Sequence, residues 1–191
     1  MRWTFVIGAI ISLIALPGLV ITSIPAIQVS HEIPLIREGQ EVGLLIFSTL
    51  DSLHAGDVSH ISLSVQYDPA KVVDLGIGSV DLISRLDVPT MIISPVGESH
   101  VKIDPMYPTN FAWQINPENK EVFSGRIWLF EEGSNGDRSL LLAREFELNS
   151  KNVLGLSYPI ARTISIAVMF IGLGMMVFPW HLVFRTKRGH N

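Results

Sequence analysis

The chain contains no cysteine. That excludes disulfide cross-links, thiolate metal ligands and a cysteine nucleophile, so a domain outside the cytoplasm has to be held by its core alone. Such a composition suits a prokaryotic surface better than a disulfide-rich secretory pathway. There is no Asn-x-Ser/Thr acceptor either, because Asn149 is followed by Ser150 and Lys151, the wrong order for glycosylation. Phosphate-cradling glycine loops, the G-x-G-x-x-G fingerprint and the G-x-S-x-G elbow are also missing. Glu131 and Glu132 are adjacent, and in a strand they point to opposite faces, which does not suit shared acid and base work. The expectation is a protein without catalysis and without a bound cofactor.

Acidic residues are missing from both ends. All 18 Asp and Glu lie between Glu32 and Glu147, and nine of the 14 Lys and Arg lie from Arg37 to Lys151, so the middle carries 9 minus 18, or −9. An acidic surface of this kind disfavours nucleic acid, since phosphate neutralisation needs Lys and Arg. The ends are instead apolar. Thr163 to Phe184 is an uncharged run of 22 residues followed by Arg185, Lys187 and Arg188. About 20 apolar residues cross the hydrocarbon core of a bilayer, so this run reads as a stop-transfer helix.

Thr4 to Ile24 is a second apolar run, preceded by Arg2. It is longer than the apolar region of a signal peptide and offers only Ile24-Pro25-Ala26 for cleavage, so an uncleaved anchor is expected. Arg2 and the Arg185, Lys187, Arg188 cluster put both termini in the cytoplasm and the acidic middle outside. Arg162 lies at the opposite end of the second run, where its long side chain can snorkel to the interface. The predicted order is therefore a transmembrane helix over 1–25, an extracytoplasmic domain over 26–158, a helix over 159–184 and a basic cytoplasmic tail over 185–191. The tether from Asn149 to Pro159, about ten residues, would restrict the domain's orientation.

Within the middle the hydrophobic period is two. Ile27 to Ile33 alternates, Val42 to Thr49 is apolar, and Ser59 to Tyr67 sets Ile61, Leu63, Val65 and Tyr67 against Ser62, Ser64 and Gln66. Asp68-Pro69 predicts a turn. Val80 to Leu86 fits either a helix turn or an irregular strand. Short strands are expected within 89–94, 100–104 and 110–116. Gly125 to Glu132 and Leu140 to Leu148 flank a Gly-rich turn and predict a hairpin, with Trp128 and Phe130 on one face and Ile127 and Leu129 on the other. Seven to nine short strands make the fold class mainly β, an antiparallel sandwich between two membrane helices.

The stretch ISLSVQYDPAKVVDLG, Ile61 to Gly76, resembles the strand and turn of cohesin-type β-sandwiches, in which an alternating strand ends in Tyr-Asp-Pro before a Lys and a further apolar strand. The resemblance covers 16 residues and implies an Ig-like or cohesin-like sandwich, displayed outside the cell to a partner. It implies no residue roles.

Four histidines, His31, His54, His60 and His100, fall in the middle region. His54 and His60 flank a loop with Asp51 and Asp57, so two imidazoles and a carboxylate would gather about a divalent ion if the loop folded back. The spacing matches no established metal signature, and solvated loop residues are the simpler reading. Asp51, Asp57, Asp68, Asp74, Asp81 and Asp87 supply oxygens suited to calcium but form no D-x-D-x-D-G cluster, and Asp is a favoured turn former. Gly8, Ser12 and Ala15 in the first run and Gly172 and Gly174 in the second provide small side chains for close helix packing, with Met169, Met175 and Met176 as adaptable fillers. Pro17-Gly18 and Pro179 are expected to bend their helices. Trp180 and His181 read as interface anchors, with His181 as a haem or metal ligand a remote alternative. The leading expectation is an accessory or structural subunit of a larger membrane complex, with membrane-protein partners and the bilayer as its surroundings. A surface module binding a ligand or partner is the alternative, and a metal-handling protein is the remote one.

Overall fold

The alternating stretches form strands because one set of side chains leaves water while the next stays in it, so each strand needs a second sheet over its apolar face. A computed structural model of the chain describes residues 2–118, 122–133 and 135–187, without the side chains of Arg2 and of residues 178–187. The chain divides into two compact units, one of them Ala26–Lys151 and the other made from the two ends.

Ala26–Lys151 is a β-sandwich. Its strands are β1 (Gln28–Arg37), β2 (Gln40–Leu50), β3 (Leu53–His54), β4 (Ser59–Tyr67), β5 (Val80–Asp87), β6 (Ile92–Ser94), β7 (Glu98–Ile103), β8 (Thr109–Asn116), β9 (Val122–Glu132) and β10 (Arg138–Lys151). The first sheet has the order β1-β2-β4-β8-β6, the second β3-β10-β9-β5-β7. All pairs are antiparallel except β3 with β10, where Ser150 faces Leu53 and Lys151 faces His54. The inner faces meet in one core that includes Leu45, Phe47, Ile61, Leu63, Val65 and Trp113 from the first sheet and Leu82, Ile127, Leu129 and Leu148 from the second.

Two expectations change. Lys71-Val72-Val73, read as the start of a strand, belongs to a short helix, α2 (Pro69–Asp74). Asp68 caps it by accepting from the Ala70 amide at 2.9 Å, and Pro69 opens it with a fixed φ. Val80 to Leu86, left between helix and strand, lies in β5. Its apolar residues do not alternate because Ile83, which faces outward opposite Phe130, is as fully buried as Leu82 beneath it.

The outer faces of the two sheets differ in character. On the first, the register aligns Pro34, Leu44 and Gln66 in one row, Glu32, Ile46, Ser64 and Asn110 in the next, then Ser30, Ser48, Ser62 and Ala112, and finally His60 and Gln114. Ser30 and Ser48 share a hydrogen bond at 2.8 Å. Glu32 is the one Asp, Glu, Lys or Arg in these rows. The second sheet's outer face is heavily ionised.

The other unit contains two helices, α1 (Arg2–Ser23) and α3 (Tyr158–Lys187). Within them, Trp3–Ser23 and Tyr158–Val177 are each long and apolar enough to cross a membrane. Helix α3 begins ahead of Thr163, where the uncharged run starts. Neither Pro17 nor Pro179 ends its helix, since both elements continue through them.

Candidate functional site

The loop and strands around His54 were the candidate metal set. His54 Nδ1 lies 3.8 Å from Asp57 Oδ2, and with His60 both line a shallow depression. The three do not converge, because His54 is on β3 of the second sheet while His60 points outward from β4 of the first. Asp51 is occupied otherwise: its Oδ1 accepts from the Ile27 amide at 3.1 Å and from the Ser52 hydroxyl at 3.2 Å. Among the described residues no three His, Cys, Asp or Glu side chains gather closely enough to hold an ion. Burial holds the His54 imidazole below its ordinary pKa, against the opposing pull of Asp57. Of the calcium candidates, Asp68 caps α2, Asp87 pairs with Arg85 at 2.8 Å, and Asp81 lies in register with Lys102. His31 and His100 are exposed, His100 at 3.5 Å from Glu98.

At the end of the sandwich that holds the β1–β2 and β9–β10 turns, the two sheets are joined by charge. Arg37 of β1 reaches Glu131 of β9 at 2.8 Å, and Glu131 is largely buried. Tyr67 faces them with its hydroxyl buried and without a hydrogen-bond partner. Burial first, and then the Glu131 carboxylate, push its pKa up to about 12, while Arg37 pulls the other way. The fold therefore favours the neutral phenol. Its contribution is complete below pH 10 and is lost as pH rises from 10 through 12. The unfolding free energy from urea titrations should fall between pH 9 and 11.5 by up to about 2 kcal/mol, and in Tyr67→Phe that fraction of the slope should disappear.

The outer face of the second sheet is the most feature-rich surface of the sandwich. Trp128 and Phe130 project from β9 with ring centroids 6.1 Å apart and planes within 7°. The Arg126 guanidinium lies over the Trp128 ring, 5.2 Å from its centroid, and also pairs with Glu145. Arg85 is opposite Trp128 on one side and Ala143 on the other, so the indole has a small neighbour on its β10 flank. Arg138 donates to both oxygens of Glu98 at 3.1 and 3.0 Å. Sequence alone identified the shared face of Trp128 and Phe130 but not this setting, because Arg85 and Glu98 come from strands distant in the chain.

In the helical unit, the positions singled out for packing separate. A Cβ added to Gly8 would meet the Gly172 carbonyl at 2.6 Å, and one added to Gly172 would strike Ser12. Ala15 is buried, and Gly18 approaches Ser165. With Gly8 beside Gly172 and Gly18 beside Ser165, the helices run antiparallel. Gly174 is not in this contact, as nothing lies within 4 Å of a Cβ there. The reason is helical geometry: two residues past Gly172 is roughly the opposite side of the helix. Met175 and Met176 do line the Gly8 contact. Arg188 lies outside the described residues, as do the side chains of Arg2, Trp180, His181, Arg185 and Lys187.

Together these define a β-sandwich protein with two flanking apolar helices. No family model matches the chain, and no curated protein matches it. Its fold is similar to that of a chain in the complex of zinc 2-glycoprotein with prolactin inducible protein from human seminal plasma, at TM-score 0.37 and 11% identity over 65% of this chain and 94% of that one. It is likewise similar to a cohesin module of a family 33 glycoside hydrolase from Clostridium perfringens, at TM-score 0.37 and 10% identity over 59% and 98% of the two chains. The PapD-like domain 7 of human CEP192 is similar at TM-score 0.36 and 10% identity, over 68% and 98%.

Proposed function

We propose that this protein is a two-pass subunit of the cytoplasmic membrane that presents its acidic sandwich on the extracytoplasmic side and acts by binding other membrane-protein subunits, not by catalysis. The observation that carries the reading is the state of the helices. Only 11% of each apolar window is buried, so residues such as Leu13, Ile14, Phe170 and Ile171 have their apolar surface directed outward. A helix from a soluble core would be mostly covered, and this surface needs a bilayer or further helices around it. The Arg126–Trp128–Phe130 face supports a partner for the sandwich, since Trp, Tyr and Arg dominate binding energy at protein interfaces.

Purification from native membranes in mild detergent tests the proposal. A stable complex with other subunits is expected, and Trp128→Ala should weaken it by about 2 kcal/mol or more while leaving the thermal unfolding of the sandwich nearly unchanged. If the chain purifies without any other subunit, the proposal fails.

A further inference from the structure

We infer that the outer face of the first sheet is a self-association surface, covered by a second copy of this chain. Sheet faces that remain in water carry charges of both signs, as the second sheet's outer face does. In the four rows from Pro34 to Gln114 the first sheet's outer face carries only Glu32, with Glu41, Asp68 and Lys71 at the end beside Leu44 and Gln66. Its burial against a like face therefore desolvates almost no charge.

Electrostatics favours the same place. The middle region carries 9 basic against 18 acidic residues, so two copies repel at most approaches. Meeting through this face keeps nearly all carboxylates at the rim, where screening over ~8 Å weakens them. Shape also permits it. Ser48, Ser62 and Ala112 form a low row, with Ile46 standing in the adjacent row. A two-fold axis running along the strands between β2 and β4 seats Ile46 of each copy over Ser64 of the other, Ser48 over Ser62 and Glu32 over Asn110, a self-complementary arrangement that keeps the chain ends of both copies at the same end. Four strands at ~4.8 Å and about 20 Å of strand length give roughly 400 Å² of plan area per copy. With side-chain relief that approaches ~1,000 Å² in total, the threshold for a biological interface and the size of a weak, reversible one.

The full chain in mild detergent should sediment as a dimer that dissociates on dilution. Ser62→Lys buries a lysine of each copy over Ser48 of the other, two like charges offset by about one strand spacing, and should weaken the dimer about 100-fold or more, whereas Ser124→Lys on the second sheet should leave it unchanged. Because the protein has no cysteine, Ser62→Cys treated with a short bismaleimide should give a cross-linked dimer and Ser124→Cys none. Circular dichroism of each variant separates a lost interface from a lost fold, and the cysteine arm does not depend on tolerance of lysine. A monomer at every concentration, a dimer that survives Ser62→Lys, or cross-linking from Ser62→Cys solely to a different protein would overturn the inference. A homodimer lacking other subunits would uphold it while removing the proposed function.

Discussion

A double variant, Gly18→Cys with Ser165→Cys, is expected to close an intramolecular disulfide in nearly every molecule under mild oxidation. A Cβ built on Gly18 lies 3.6 Å from Ser165 Cβ, inside the ~3.5–4.5 Å range that a disulfide spans. No native cysteine competes. The bond therefore reports the helix pair, read as a mobility shift without reductant. Adding Gly172→Leu to that background should abolish it. Leucine there would drive its side chain into Ser12 and the Gly8 carbonyl, both backbone-proximal and unable to swing aside, so the helices must separate by several ångströms. Association in lipid rests on close packing without a hydrophobic drive to compensate, and loss of that fit leaves little else. Gly174→Leu, facing open space, is the matched control and should preserve cross-linking. If Gly172→Leu cross-links as well as Gly174→Leu, the antiparallel contact is wrong.

The second large effect belongs to Trp113. It is buried to 1% in the core and stacks near Phe111 at 6.3 Å, so Trp113→Ala should cost about 3–5 kcal/mol and leave the sandwich largely unfolded at moderate temperature. Trp113→Phe should behave differently. The indole Nε1 is buried and lacks a hydrogen-bond partner, so phenylalanine removes both volume and an unsatisfied donor. The cavity term and the relieved desolvation oppose each other, and the net loss should stay below about 2 kcal/mol. Urea denaturation of both variants checks the pair. Equal destabilisation would mean that Nε1 is satisfied in solution.

The strand Ser59 to Tyr67 was legible because its partners β2 and β8 bury one face evenly, which leaves a clean alternation in the sequence. Val80 to Leu86 was not, since Ile83 is covered on the outer face by side chains from other strands that local periodicity does not record. The helix α2 carried its own signal in Asp68-Pro69, a cap followed by a first-turn proline, although two β-branched valines suggested a strand. The helix contact followed from Gly8, Ser12 and Ala15, but assigning Gly174 to it required the rotational phase of α3, which composition does not supply. Neither outer face was visible in advance: the neutrality of one and the ion pairs of the other arise only when β1, β2, β4 and β8, or β5, β7, β9 and β10, are set side by side.

The sandwich receives the chain and releases it at one end, clasped by the Asp51 amide on the Ile27 carbonyl at 2.9 Å and the Ala55 amide on the Lys151 carbonyl at 2.8 Å. That placement decides how the domain yields to force. A pull that draws its two stems apart meets these bonds singly, so β1 unzips from β2 from Gln28 onward instead of shearing with its whole ladder under load. Tension across the stems would free the first strand early, while the opposite end, fastened by Arg37 and Glu131, would be the last part to open.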